Sequence, residues 1–282
     1  MPSLIDIRRR IRSVKNTQQI TKAMKMVSAA KLRRAHDRVI ASRPYAELLR
    51  RTLGNLARVV GGEHPLLIAR PENRVQLVLI TSDKGLAGAF NANLIKASQA
   101  FVAEHAAAAP QLELIGRKGR DFWRKRGAAI TGEHVGILGK VEYSEAKVIA
   151  QALLERFGSG ETDAVYLINN EFKSVLSQKL TTTRVLPVSV PEQGEGATEY
   201  IFEQPAKEML DSLLPRYVES EIYRAMLESV AAEHAARMTA MDSATSNASE
   251  MIDNLTLYMN RVRQASITKE IIEVVSGAAA AG

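Results

Sequence analysis

Between residues 227 and 262 the chain repeats one spacing. Leu227, Val230, His234, Met238, Met241, Thr245, Ala248, Ile252, Leu255, Met259 and Val262 follow one another at steps of 3, 4, 4, 3, 4, 3, 4, 3, 4 and 3. Steps averaging about 3.5 keep one narrow stripe of an α-helix turned toward a neighbour, which is a coiled-coil seam. A seam that long needs a partner of comparable length, and the other end of the chain offers one. Residues 3–60 hold no glycine before Gly54 and a single proline, Pro44. Leu4, Ile7, Ile11 and Val14 recur at steps of 3, 4 and 3, and the apolar positions then shift to Ile20, Met24 and Val27. Such a shift reads as a stutter. Pro44 lacks the amide that an inner helical turn needs, so a kink or break is expected near Ser42. The C-terminal helix is expected over about 207–276, with Pro215 starting its main body or kinking it.

The middle of the chain has a different texture. Val75–Thr81 is a short apolar run suited to a strand buried on both faces. A turn with glycines and a helix to about His105 follow. Leu112–Ile115 reads as a second strand, Arg117–Arg126 as a short basic helix, and Ser144–Phe157 as a helix with Ser144 as its N-cap. Ala164–Asn169 is a third central strand, and the Thr-rich alternation of Lys179–Val185 suits an edge strand. Strands alternating with helices imply a largely parallel, Rossmann-like sheet. The fold class is therefore α/β: a long antiparallel coiled coil of N- and C-terminal helices with an inserted Rossmann-like domain. Antiparallel pairing follows because the insert returns the chain to where it left. The expected division is 1–60 for the first helix, 73–190 for the α/β domain, 191–206 for a linker containing Gly194 and Gly196, and 207–282 for the second helix. At 1.5 Å per residue the helices would run roughly 85 and 100 Å, a shape for spanning and transmitting.

Chemistry is hard to find in this sequence. There is no cysteine, which removes disulfides, thiolate metal sites and thiol catalysis. The nearest two histidines, His36 and His64, are 28 residues apart, so no helical metal pair exists and no metal or cofactor is expected. Gly139-Lys140 fails as the end of a phosphate loop, because His134 stands at the first glycine position and Val141 follows the lysine. The best local candidate is Ser82–Asn91, SDKGLAGAFN, at the turn after the first strand. Two readings stay open there: an anion held by backbone amides near Gly85 and Gly88 with Lys84, or a helix cap from Ser82 or Asp83 with the glycines only turning the chain. No apolar run of about 18 residues is present, so no membrane-spanning helix is expected, and the opening MPSLIDIRRR shows no apolar core of a secretory signal.

Charge supplies the remaining clue. The net charge is +7, yet residues 1–60 carry 15 Lys or Arg against Asp6, Asp37 and Glu47, a local excess of +12 that leaves −5 for the rest. A basic helix on a mildly acidic body calls for an anionic partner, whether nucleic acid, anionic lipid or an acidic protein surface. Nucleic acid is disfavoured, because the basic helix has no aromatic side chain for base stacking until Tyr45. A small-molecule enzyme on the Rossmann-like domain and a basic coiled-coil adaptor are the rival function classes.

Three segments together carry a resemblance. They are Lys22–Ala35 (KAMKMVSAAKLRRA), Ser82–Asn91 (SDKGLAGAFN) and Ile267–Ala280 (ITKEIIEVVSGAAA), the last preceded by Arg263, Gln264, Ala265 and Ser266. In sequence, order and spacing the chain resembles the gamma subunits of F-type ATP synthases of bacterial type. The resemblance implies a central rotor shaft without catalytic residues. Its coiled coil would stand inside a hexamer of alternating alpha and beta subunits. Its globular domain would sit beside the epsilon subunit on the ring of c subunits, at the cytoplasmic face of the inner membrane. Positions expected to touch alpha and beta are Met24, Lys84, Ala87, Arg237, Gln264, Thr268 and Glu270, with Arg237 and Gln264 as a polar catch on beta. Arg33 and Arg34 belong to the basic face that would complement an acidic loop of beta, and Ala278–Gly282 is a small-residue tip. Many members of this family carry Cys where this chain has Ala87.

Overall fold

The computed structural model describes residues 3–60, 64–175, 177–189 and 204–281. Two helices frame the chain, α1 (Leu4–Val60) and α5 (Ala206–Ala281), and both are continuous. Between them lie β1 (Val75–Ile80), α2 (Phe90–Glu104), β2 (Gln111–Ile115), α3 (Arg117–Arg124), β3 (Ile130–His134), α4 (Tyr143–Gly158), β4 (Ala164–Phe172) and β5 (Gln178–Leu186). The chain divides into two compact units, residues 29–237 and residues 1–28 with 238–282.

The larger unit is built on one sheet of order β3-β2-β1-β4-β5. The four strands from β3 to β4 are parallel, and β5 closes one edge antiparallel to β4. All six residues of β1 are buried, as expected of a strand covered on both faces, and its one polar member, Gln76, donates through Nε2 to Glu113 and Thr131. The Rossmann-like reading and the edge position of β5 hold. The sequence reading missed β3, whose residues ITGEH show no apolar run. Gly132 makes room there: a Cβ on it would lie 1.8 Å from Oε1 of the buried Glu113. That carboxylate accepts from Arg156 Nη1 (2.7 Å) and Thr131 Oγ1 (3.1 Å) and lies 2.6 Å from His134 Nε2. Burial works against its ionisation, but the bonds from His134 and Arg156 outweigh that and hold its pKa below the ordinary carboxylate value.

Several local expectations are corrected. Ser144 does not cap α4; the helix begins at Tyr143, with Glu142 at the N-cap position and no side-chain cap. Pro44 does not break α1; α5 begins at Ala206, close to the expected start, and runs on through Pro215. Pro44 is exposed, and so is Ile40, whose carbonyl it leaves without an amide partner. Water can satisfy that carbonyl, so the helix survives the loss of one bond. Within this unit α5 is not a two-helix seam either. Every residue from Ala225 to Glu233 is buried, so the helix is surrounded on all sides there.

The smaller unit is the antiparallel coiled coil. Thr21 Oγ1 lies 2.8 Å from Thr245 Oγ1, and Lys25 Nζ lies 2.5 Å from Asp242 Oδ1, so α1 ascends as α5 descends. The seam of α5 is as expected: Met241 and Ala248 are buried, and Thr245, Ile252, Leu255, Met259 and Val262 are half-buried. The stutter in α1 is absent. Ile20 and Val27 are 60% and 55% exposed, and the seam continues through Gln18, Thr21 and Ser28. Polar residues fill it because the Thr21–Thr245 pair satisfies both hydroxyls across the interface, and the small side chains let the two helices approach. The linker at 191–206 lies outside the described residues up to 203, as does Gly282 of the tip.

Candidate partner-contact site

The segment after β1 sits where the sheet order reverses, with β2 on one side and β4 on the other. In open α/β sheets that crevice is the usual ligand site. Here the chain fills it with its own carboxylate. Asp83 accepts from the amide of Arg117 at the first turn of α3 (3.0 Å) and from the amide of Gly136 (3.1 and 3.2 Å). Ser82 faces inward, bonded to Asn91 and to the carbonyl of Lys84. The cap expectation for α2 is therefore corrected. That helix starts at Phe90 with Ala89 at its N-cap position and no side-chain cap, and Asp83 caps α3 across space instead. A negative group at a helix start is favourable, and this one is built in.

Between Lys84 and Ala89 the backbone visits positive φ twice, at Gly88 (56°) and at Leu86 (61°). Glycine takes that conformation at little cost; leucine does not. Leu86 is also 64% exposed, while Ala87 is turned inward and only 2% exposed. The loop thus presents Lys84 and Leu86 and buries Ala87. Strain that holds a large apolar side chain in solvent points to a contact surface.

Arg237 on α5 anchors this loop. Its Nη2 donates to the Gly85 carbonyl (3.0 Å) and to Glu233 Oε1 (2.6 Å), and Nη1 lies 3.4 Å from His234 Nδ1. Arginine only donates, so His234 Nδ1 accepts and its proton sits on Nε2. Burial chiefly, with repulsion from Arg237 and Lys31 added, pushes the His234 pKa down to about 4, so the ring is neutral at physiological pH. Burial raises the pKa of Glu233, against the pull of Arg237.

A family model described as ATP synthase matches residues 3–281. The ATP synthase gamma chain of Solibacter usitatus is 68% identical, and the match spans all of both chains. This chain belongs to the ATP synthase gamma-chain family. The gamma chain of Pelotomaculum thermopropionicum is 52% identical over 99% of each. Among solved structures, the central stalk and c-ring of the Tetrahymena thermophila mitochondrial ATP synthase contains a similar chain. It is 26% identical, with a TM-score of 0.65, covering 80% of this chain and 99% of that one. A chain of the Euglena gracilis mitochondrial ATP synthase is 19% identical with a TM-score of 0.71 over 98% and 94%, which shows the shared fold.

The gamma-chain resemblance named residues from both units. Lys84, Arg33 and Arg34 are exposed in the larger unit, whereas Ala87 and Arg237 are buried there. In the coiled-coil unit Met24 is half-buried, and Gln264, Thr268 and Glu270 are exposed. Among the described residues the last three make only local bonds. Thr268 donates to the Gln264 carbonyl (2.9 Å) and Ser266 to Glu270 (3.2 Å). The structure brings Ala87 and Arg237 into one assembly through the loop at Gly85. Met24, Gln264, Thr268 and Glu270 form no such cluster. Sequence reasoning passed over Leu86 and the aliphatics near the end of α5. Every residue from Ile267 to Ser276 is exposed, including Ile271 (57%), Ile272 (59%), Val274 (73%) and Val275 (61%). Among the described residues no group of side chains is placed to hold a metal ion, and no helix is long and apolar enough to cross a membrane.

Proposed function

We propose that this gamma chain is the non-catalytic central shaft of a bacterial ATP synthase. It couples the turning of a ring of c subunits to the conformational cycling of the catalytic beta subunits. The observation that carries this reading is the bare end of α5, where large aliphatic side chains lie open to solvent in a chain of gamma-chain sequence. An exposed apolar surface of that kind marks a contact with another protein. That surface, with Gln264, Thr268 and Glu270 on the same helix, is assigned to the alpha and beta subunits. Lys84 and Leu86 reach the same ring, and Ala87 and Arg237 act by holding their loop in place. The small, polar seam around Thr21 and Thr245 supports a shaft whose helices lie close together. In functional terms the chain divides into shaft helices at 1–60 and 207–282 and a foot at 73–190. The foot sits on the c-ring beside the epsilon subunit, at the cytoplasmic face of the inner membrane, and no cofactor is involved.

The basic face gives the test. Arg33→Glu with Arg34→Glu places two negative charges on an exposed surface, so the chain should fold normally by circular dichroism. Proton-driven ATP synthesis in reconstituted vesicles should fall about fivefold or more, as expected when weak charge contacts become repulsive. Wild-type synthesis and assembly by the folded variant would remove this face from the mechanism.

A further inference from the structure

In the larger unit, α1, the segment before α4 and α5 line a half-open cavity of about 240 Å³. Lys31, Arg34 and Arg38 enter it from α1, Lys140 from the segment, and His234 from α5. None of its lining residues is acidic. Its floor is apolar, formed by Leu138, Val141, Leu227 and Val230. From these features we propose that the cavity binds a small phosphate monoester, its phosphate held by Lys31, Arg34 and His234 and its body on the apolar floor.

The state of each donor supports the assignment. Among the described residues Lys31 and Arg34 make no hydrogen bond or ion pair with any side chain or backbone atom of the chain. Arg38 is fixed on the cavity wall by the Val141 carbonyl and by Tyr223 Oη, so it adds charge without leaving its place. Lys140 pairs with Glu142, but both are well exposed, and such a pair yields readily to a ligand. The nearby carboxylate of Glu233 is held by Arg237 and does not line the cavity. His234 accepts through Nδ1, which leaves Nε2–H as a neutral donor. Cations and a donor arriving from three elements suit a group with several charged oxygens better than the two oxygens of a carboxylate. The volume falls below the roughly 300 Å³ at which pockets for drug-sized ligands begin, so the body of the ester must be compact.

The test is calorimetric titration of the full chain with phenyl phosphate at fixed ionic strength. The expected result is saturable binding at one site, tighter than that of inorganic phosphate. Lys31→Gln and Arg34→Gln should each weaken it about tenfold. Arg33→Gln makes the same charge change one residue away, off the cavity lining, and should leave affinity unchanged. All three positions are exposed, so unchanged melting temperatures are expected without ligand. No saturable binding, or equal weakening by Arg33→Gln, would overturn the proposal. Inorganic phosphate binding as tightly as the ester would overturn the assignment of an ester. An oligoglutamate peptide that bound through Lys31 and Arg34 where phenyl phosphate did not would replace it with an acidic protein partner.

Discussion

Arg237→Ala is expected to destabilise the chain by about 3 kcal/mol and to release the 83–89 loop from α5. The substitution leaves Glu233 buried without its cation and the Gly85 carbonyl without its donor, and both losses fall at a residue only 8% exposed. Removing one member of a buried pair costs more than the pair contributed, because the partner stays desolvated. The deficit should depend on pH. Burial already raises the Glu233 pKa, and losing Arg237 raises it further. A carboxyl whose folded pKa lies above its unfolded value loses stability as pH rises, so the deficit should be largest near neutrality and shrink toward about pH 5. Relief of His234, which Arg237 now helps to keep neutral, acts in the same direction. Denaturant unfolding across that pH range measures the slope. Amide exchange at 84–89 tests the loop, where faster exchange is expected. A loss below about 1 kcal/mol with no pH trend would mean that Arg237 is solvated rather than anchoring.

Gly116→Ala should be at least as damaging, by about 3 kcal/mol or more. Gly116 joins β2 to α3 at φ +96°, and a Cβ there would lie 2.1 Å from the Thr81 carbonyl oxygen. Thr81 cannot yield, since it is tied by its amide to the Ile115 carbonyl and by its hydroxyl to the Gly119 amide. Gly127→Ala is the matching control. It also has positive φ, but nothing lies within 4 Å of an added Cβ, so only the backbone cost of about 1 kcal/mol remains. Thermal melts of the two variants separate steric clash from conformational preference. Equal losses would mean that the close approach of Thr81 and Gly116 is not maintained in solution.

The residues reveal where the fold follows from periodicity and where it follows from partners. The α5 seam was legible beyond Met238, where its 3–4 spacing faces a single partner helix, although the same spacing over 227–234 lies where the helix is buried all round, and β1 was legible because five of its six residues are apolar. The α1 seam was misread because hydrophobicity drew attention to Ile20 and Val27, which face solvent. Thr21 occupies the seam on the strength of a bond to Thr245, more than two hundred residues away, and no local pattern records that. β3 escaped notice for a similar reason. Its glycine answers to the Glu113 carboxylate on the neighbouring strand, and its own residues give no apolar signal. Ser82, Asp83 and Ser144 were sound N-cap residue types, yet none caps the helix that follows it. Asp83 caps α3, a helix that starts more than thirty residues later.

The site was legible in part. Composition and motif identified the 82–91 segment, but not which of its side chains faces outward. A small residue such as Ala87 can sit in either place, and the positive φ of Leu86 reverses the ordinary expectation for leucine. The aliphatics of Ile271–Val275 entered the sequence reading only as part of a segment carrying the family resemblance. In the chain alone they are bare, and a signal of that kind appears only when burial is compared with hydrophobicity.

The shaft reading is tested most directly by co-expressing this chain with the alpha and beta subunits of the same source. The purified material is then examined by size-exclusion chromatography and ATPase assay. The account predicts that a single copy elutes with the alpha–beta ring and that sustained ATPase activity requires it. Truncation after Gln264 should weaken that association. A folded chain that elutes alone beside an assembled and fully active alpha–beta ring would contradict the account.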